Sequence, residues 1–417
     1  MAEELKTFLD RRLAEGMDRR DFLKLGASTA GLAALAACGG ATTSGPSGPT
    51  GPDFKLGIVL PYSQVYADLG NSITNGILLY FEQAANQAGN RKIVVTKADE
   101  QVALADAVAA TKKVVEQDGV DMVAGYVSSP NANGNRNYLD SNKIPTLIAN
   151  AGVNALSRAN KSAFIYRTSF SNWQPSHPMG SYLYDKLAVR TVQLVYANYG
   201  AGIESVGSFK ETFKGSFGAD DVKPPLNNTG DWTPFVQKIQ PDKVDAVYVF
   251  MSGTDAIGFL KKANELGTLR KLKVVAGSGF FVEQDVLGAI GDAAPVGAVT
   301  GLHWALTLDS KENKDFVSRY QKKHGKPPDV FAVQGWDTGR VIVEALNAVK
   351  GKTDNKDAFL KAISQVSFKS PRGDFKFDPA TNNVINTIYV RKLVKDPKLG
   401  YTNQVIDTVP GVADPGK

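Results

Sequence analysis

The chain of 417 residues has one cysteine, three histidines and no long apolar run. A single cysteine excludes an internal disulfide, so the folded part must be held together by its core. His177, His303 and His324 show neither zinc-ligand spacing nor an evident partnership with a serine and a carboxylate. The uncharged run 25–37 would reach about 20 Å as a helix, short of a ~30 Å hydrocarbon core, which argues against a membrane span.

The excess of positive over negative charge is also small. The net charge is only +6, and the lysines are scattered rather than striped, which argues against a nucleic-acid patch. A hydrophobic content of 43% and a charged content of 22% are typical of a globular protein. The residues after 52 are numerous enough for two domains with sizeable cores.

The N-terminal segment 1–37 is predicted to be an export signal. Arg19 and Arg20 precede the short apolar run and resemble the twin-arginine motif of bacterial export. Leu-Ala-Ala-Cys, ending at Cys38, resembles a bacterial lipobox, in which the cysteine receives a diacylglyceryl group. The initiator is Met1 or Met17, because the residues before Met17 fit the export pattern poorly.

Residues 38–52 are predicted to be a lipidated, flexible tether. The stretch GGATTSGPSGPTGP has no charge and no large apolar side chain, so it cannot bury enough surface to fold. A lipid on Cys38 would then hold a globular body at the extracytoplasmic face of the bacterial membrane, with the lipid as the only anchor.

The rest of the chain alternates between strand and helix patterns. Apolar runs rich in β-branched residues predict strands at 54–63, 91–100, 120–129, 144–150, 190–199, 244–253 and 272–279. Helical spacing predicts helices at 72–89, with Gly89 as C-cap, and at 103–119, 310–325 and 330–351. A hairpin-like stretch follows at 374–394. This order predicts an α/β protein of two lobes, each a parallel sheet flanked by helices.

Ligands of open parallel sheets bind beyond the carboxyl ends of the strands. The loops at these ends are rich in small, hydroxylated and aromatic residues, and we interpret them as a candidate binding site. They are 60–70, 125–135, 149–157, 197–202, 250–256 and 276–284.

From Phe54 to Val409 the chain resembles the type I periplasmic solute-binding proteins of ABC importers for branched-chain and hydrophobic amino acids and amides. The resemblance is carried by LGIVLPYSQVYADLG, GYVSS, FIYRTSFSNWQ, VYANYGAG, FVSRYQKKHGKPPDVFAVQGWDTGRVIVEAL and SPRGDFKFDPATNN. It implies two lobes joined by three crossover segments. The N-terminal lobe would comprise 53–169 and 303–375, and the C-terminal lobe 170–302 and 376–417.

The resemblance also implies binding roles. Ser129 would hold a ligand carboxylate, Tyr199 would close over the ligand, and the loop from Ala151 to Val153 would offer backbone N–H groups. Val153 stands where amino-acid binders have a threonine. The full set of predicted ligand-binding residues is Tyr66, Leu69, Ser128, Ser129, Ala151, Gly152, Val153, Trp173, Tyr199, Ser252, Gly279 and Phe280.

The ligand class stays open between a hydrophobic amino acid, an aromatic or other small carboxylate, and an amide. Amino-acid binders of this family neutralise the ammonium with an acidic residue, but the loop GSGFF has none, and Glu283 lies slightly too far along. A buried ammonium without a partner is costly. Trp173, with Tyr66, Phe280 and Phe281, could instead enclose an aromatic ring.

The predicted function is capture of a small solute and its delivery to a permease and ATPase, by a monomer without cofactor or metal. The alternative is a sensory module of the same fold that reports to a receptor or kinase. Catalysis is disfavoured, because AGSGF has Ala276 in place of the first glycine of a nucleophile elbow. The GKT at 351–353 likewise lacks the preceding glycine of a phosphate loop.

Overall fold

The computed structural model describes residues 48–417, so the predicted export signal with Arg19 and Arg20, the lipidation site Cys38 and most of the tether lie outside the described residues. The strands are β1 (Phe54–Leu60), β2 (Gln87–Ala88), β3 (Arg91–Asp99), β4 (Met122–Gly125), β5 (Thr146–Ile148), β6 (Ile165–Arg167), β7 (Thr191–Tyr196), β8 (Ser216–Phe217), β9 (Ala246–Phe250), β10 (Val274–Ser278), β11 (Val299–Leu302), β12 (Ser367–Ser370), β13 (Gly373–Asp378), β14 (Asn383–Val384), β15 (Asn386–Asp396) and β16 (Gly400–Val412). The helices are α1 (Ala67–Gln83), α2 (Leu104–Lys112), α3 (Ser129–Ser141), α4 (Trp173–Asp185), α5 (Gly200–Lys210), α6 (Thr233–Val236), α7 (Gly253–Glu265), α8 (Gln284–Ile290), α9 (Lys311–His324), α10 (Val330–Ala348) and α11 (Lys356–Ser364).

The strands form two sheets, each with a parallel centre. The first sheet has the order β12-β13-β14-β6-β5-β4-β1-β3-β2, and the second has the order β16-β15-β11-β10-β9-β7-β8. Strands β3, β1, β4, β5 and β6 pair in parallel, as do β7, β9, β10 and β11. Antiparallel pairs occur only towards the edges. The predicted α/β architecture of two helix-covered parallel sheets is confirmed.

The chain passes between the sheets three times. It leaves the first sheet after β6, returns after β11 and leaves again between β14 and β15. Because β13 and β14 lie in the first sheet, the predicted lobe boundary at residue 375 falls inside β13. The largest cluster of buried apolar side chains includes Phe54 of β1 and Tyr248 of β9, so it runs from one lobe into the other.

The first helix differs from its prediction at both ends. It spans Ala67–Gln83 rather than 72–89, because Ala85 and Asn86 have positive φ values of 54° and 55°, which end the helix. The chain then turns back, and Gln87–Ala88 pairs with the start of β3. Gly89, predicted as the C-cap, lies in that turn instead, with a φ of 56°.

The predicted hairpin at 374–394 is divided between the two lobes. β13 and β14 pair with each other in the first sheet, whereas β15 pairs with β11 and β16 in the second. The partner β16 lies beyond the predicted stretch, so local sequence could not indicate this pairing.

Among the helices of residues 48–417, none combines the length and the apolar character needed to cross a bilayer.

Candidate ligand-binding site

A small cavity of about 20 Å³ lies between the two sheets, among the loops at the carboxyl ends of their strands. Both lobes and the first crossing contribute to its wall. The lining residues are Tyr66, Leu69, Val127, Ser129, Asn150, Gly152, Phe170, Asn172, Tyr199, Ala201, Phe250, Ser252, Phe280 and Phe331. A cavity of this size has room for about one water molecule, so a larger ligand requires its walls to move apart.

Ser129 enters the cavity because the chain bends sharply after β4. Gly125 and Tyr126 have positive φ values of 147° and 64°, and the Tyr126 N–H donates to Val59 O at 2.8 Å. The bend directs the chain into α3, whose first residue is Ser129. A helix N-terminus presents free N–H groups and a positive dipole end, so this corner of the cavity favours an anion.

A buried carboxyl group supports the same corner from behind. Glu100, at the end of β3, accepts hydrogen bonds from the backbone N–H groups of Val127 at 2.7 Å and Ser128 at 2.9 Å. Burial raises the pKa of Glu100 to about 8, against a usual 4.5. Glu100 is therefore mostly protonated at neutral pH and adds little negative charge beside Ser129.

Phenylalanine side chains form the apolar part of the wall. Phe170 from the first crossing lies 4.9 Å from Phe280 of the second lobe, measured between ring centroids. Phe331 of α10 also stacks on Phe280, with ring centroids 5.9 Å apart and ring planes 20° from parallel. Phe250 meets Phe280 edge-on at 6.3 Å. Such a wall is suited to a flat apolar ligand.

Two sets of hydrogen bonds cross from one lobe to the other at the cavity. The Tyr66 hydroxyl donates to the Tyr199 hydroxyl at 2.8 Å. Glu204 of α5 accepts from the backbone N–H of Asn154 at 3.0 Å and from Asn172 Nδ2 at 2.8 Å. Burial raises the pKa of both tyrosines, so both hydroxyl groups stay neutral. Separating the lobes would break the Tyr66–Tyr199 and Glu204–Asn154 bonds, which join them.

The structure brings seven of the predicted ligand-binding residues to the cavity wall. They are Tyr66, Leu69, Ser129, Gly152, Tyr199, Ser252 and Phe280. Their contact with a ligand stays a prediction, but their convergence follows from strand ends that meet at one edge of each sheet.

Five predicted residues do not line this cavity. Ser128 precedes α3 and gives its N–H to Glu100, and the Ala151 N–H donates to Tyr126 O at 2.8 Å. The Val153 carbonyl accepts from Arg167 at 2.7 Å, and the Gly279 carbonyl accepts from Arg391 at 3.0 Å. The backbone groups of these residues are thus engaged in holding the loops in place.

Trp173 is the fifth residue, and it faces another part of the surface. Its indole stacks on His177 at 3.9 Å between centroids and donates to Glu211 at 2.8 Å. Phe281, named with it as a possible ring partner, packs in the core of the second lobe. Of the four aromatic residues that the sequence suggested, Tyr66 and Phe280 line the cavity, and Phe170, Phe250 and Phe331 line it with them.

Seven lining residues were not among the individually predicted ones: Val127, Asn150, Phe170, Asn172, Ala201, Phe250 and Phe331. Four of them, Val127, Asn150, Ala201 and Phe250, lie in the strand-end loops that the sequence indicated as the site. Phe170 and Asn172 come shortly after β6, at the first crossing between the lobes. That position could have indicated from the sequence that they face the cavity. Phe331 lies in α10 and is distant in sequence from every strand-end loop, so no local signal could have placed it.

Glu283 does not reach the cavity. Its carboxylate pairs with Arg391 at 2.8 Å and accepts from the Val330 N–H at 3.1 Å, and both partners of this ion pair are buried. No aspartate or glutamate stands among the lining residues that the structure describes. Within residues 48–417 there is also no group of three or more His, Cys, Asp or Glu side chains arranged to hold a metal ion.

The chain is similar in sequence to known proteins. Residues 53–398 match the family model described as periplasmic binding protein. A Leu/Ile/Val-binding protein homolog 6 of Brucella melitensis is 30% identical over 368 residues, which cover 87% of this chain and 93% of the relative.

Two solved solute-binding proteins of ABC transporters are similar in sequence and in fold. One, from R. palustris in complex with benzoate, is 31% identical with a TM-score of 0.80, covering 88% of this chain and 99% of the other. One from Rhodopseudomonas palustris BisB5, in complex with 3,4-dihydroxybenzoic acid, is 30% identical with a TM-score of 0.82, covering 87% and 99%.

Proposed function

This chain belongs to the periplasmic binding protein family, as a solute-binding protein of the ABC transporter kind, and we propose that its ligand is a small aromatic carboxylate. The observation that carries the proposal is a cavity wall with aromatic faces and hydrogen-bond donors but, among the described residues, no acidic side chain.

The carboxylate would lie at the N-terminus of α3. The Ser129 hydroxyl and the backbone N–H groups of Ser129 and Asn131 are the donors there, because Pro130 between them has no N–H, and a charged acceptor strengthens each such bond. Gly152 brings a second stretch of backbone to the same wall. A Cβ at Gly152 would lie 2.7 Å from a ring carbon of Phe170, so only glycine leaves this approach open.

The missing acidic residue argues against an α-amino acid. A ligand ammonium enclosed here would lose its water without gaining a carboxylate partner, which costs several kcal/mol. Glu204 contacts the lining residue Asn172 but does not itself line the cavity, and its Oε2 accepts from Asn154 and Asn172. The benzoate-bound relative supports the aromatic ligand, whereas the Leu/Ile/Val-binding relative keeps a hydrophobic amino acid as the competing ligand.

Binding would proceed by closure of the two lobes. The ligand contacts one lobe first, and rotation about the three crossings brings the other lobe over it. The ligand stabilises the closed form only as far as it prefers that form to the open one. A permease could then recognise the loaded protein by its closed shape.

The N-terminal motifs support attachment at the extracytoplasmic membrane surface through a lipid on Cys38, after export directed by Arg19 and Arg20. An anchor would raise the effective concentration of the protein near its permease. Replacing Cys38 with serine should release the protein from the membrane fraction of the native host and abolish labelling by a radioactive fatty acid. Labelling that persists in this variant would refute the assignment of Cys38.

A panel of ligands tests the proposed ligand class on the exported form of the protein. Benzoate, 4-hydroxybenzoate and cyclohexanecarboxylate test the ring and the acid, benzamide is the neutral match, and leucine and phenylalanine test the competing class. A ligand at 100 times its Kd adds about 2.7 kcal/mol of stability, enough for a melting shift of several degrees. We expect stabilisation by the benzoates and none by benzamide. Stabilisation by the amino acids alone would overturn the proposal.

A further inference from the structure

His303 lies directly behind the aromatic wall of the cavity. It follows β11 at the second crossing, is fully buried, and stacks on Phe170 with ring centroids 5.3 Å apart and planes 21° from parallel. Its Nε2 lies 3.1 Å from the side-chain amide of Gln334. Its Nδ1 is buried and has no hydrogen-bond partner among the described residues.

The contact continues from Gln334 to the cavity. Asn150 Nδ2 donates to Gln334 Oε1 at 2.7 Å, and both residues are buried. Asn150 lines the cavity, and its second amide atom has no hydrogen-bond partner within the described part of the chain. His303, Gln334 and Asn150 therefore form a hydrogen-bonded chain, called here the amide relay, that ends at the cavity wall.

The amide relay can run in either of two directions. An amide group keeps its shape when it turns by 180°, so its partners decide which end donates. The structure has the first direction, in which Asn150 donates to Gln334, Gln334 donates to Nε2 of His303, and Asn150 shows its carbonyl oxygen to the cavity. In the second direction His303 donates from Nε2, and Asn150 shows its NH₂ group to the cavity.

The proton of His303 selects between them. Burial, together with Arg372 and Arg391, lowers the pKa of His303 well below its usual value, so the ring is neutral and has one N–H. In the first direction that N–H would be on Nδ1, where it would be a buried donor without an acceptor. In the second direction Nδ1 has only an unused lone pair, which is the more common and less costly state for a buried group.

We propose that His303 is a positioning residue that, as the Nε2–H tautomer, acts through Gln334 to direct the Asn150 NH₂ group into the ligand cavity. The ligand atom at Asn150 must then be a hydrogen-bond acceptor, such as a carboxylate or carbonyl oxygen. This consequence for the ligand depends on the proposed function, whereas the direction of the relay does not.

The tautomer can be measured without any ligand. Nitrogen-15 NMR of the full chain with labelled histidine distinguishes a protonated ring nitrogen from a bare one, and the signal of His303 is assigned as the one missing from a His303→Gln sample. We expect Nε2 to be protonated and Nδ1 bare. A proton on Nδ1, or on both nitrogens, would overturn the proposal whatever the protein binds.

A second measurement tests the consequence for the ligand. His303→Leu removes the donor, and His303→Gln keeps an N–H that can reach Gln334. We expect His303→Leu to raise the Kd for benzoate at least 10-fold, and His303→Gln to stay within about 3-fold of the unmodified protein. Equal losses in both variants would show a packing role only and refute the positioning role. If the unmodified protein binds no benzoate, the proposed function fails, while NMR still decides the direction of the relay.

Discussion

Replacing Tyr66 with phenylalanine should weaken ligand binding by making the closed form less stable. Tyr66 belongs to the single-turn helix Gln64–Tyr66 of the first lobe, and Tyr199 immediately precedes α5 of the second. Their hydroxyl groups meet at 2.8 Å, with Tyr66 buried and Tyr199 half-buried. In the open form water can replace this contact, so its loss acts on closure.

The size of the effect follows from the state of the remaining hydroxyl. A net hydrogen bond contributes about 1 kcal/mol, and a partner left buried without a bond costs about 1–3 kcal/mol. A loss of about 1–2 kcal/mol corresponds to a rise in Kd of roughly 5- to 30-fold. Calorimetric titration with benzoate measures the change.

The double variant with Tyr66→Phe and Tyr199→Phe separates closure from direct ligand contact. It buries no unpaired hydroxyl, so its Kd should return to within about 5-fold of the unmodified protein. Losses that add up in the double variant would mean that each tyrosine holds the ligand itself, and would refute the reasoning.

Tyr126→Phe is the matched control for this experiment. The Tyr126 and Thr111 hydroxyls meet at 2.7 Å in the first lobe alone, and both residues are fully buried. This variant should melt at a lower temperature and keep its affinity for benzoate.

Three further variants test the site. Ser129→Ala should weaken benzoate binding by about 1.5–3 kcal/mol, because a bond to a charged acceptor is lost, and an unchanged Kd in calorimetry would remove Ser129 from the site. Gly152→Ala should abolish detectable benzoate binding in the same assay without unfolding the protein, because the new Cβ would collide with Phe170 and the Asn172 side chain; normal binding would show that this wall does not contact the ligand. Glu100 keeps its proton up to about pH 8 in the folded state but loses it near 4.5 when unfolded, so its contribution to stability is complete below about pH 4.5 and lost as the pH rises to about 8. Urea unfolding across this range should therefore show a falling stability that is shallower in Glu100→Gln, and equal slopes in both proteins would contradict the raised pKa.

The sequence alone was enough to place Tyr66, Ser129, Tyr199 and Phe280 near one another. Each follows a recognisable strand, and the carboxyl ends of parallel strands meet at one edge whatever the details of packing. Alternation of apolar strands and amphipathic helices likewise determined the α/β class, since each pattern has its own period.

Only the tertiary structure decided which side chains face the ligand. Trp173 and Phe170 lie three residues apart at the same crossing, yet Phe170 lines the cavity while Trp173 stacks on His177. The Asn150–Gln334 contact joins residues 184 positions apart, and β15 passes over its neighbour in sequence to pair in the other lobe. Such choices depend on how one lobe packs against another, and local periodicity contains no information about contacts between segments that distant.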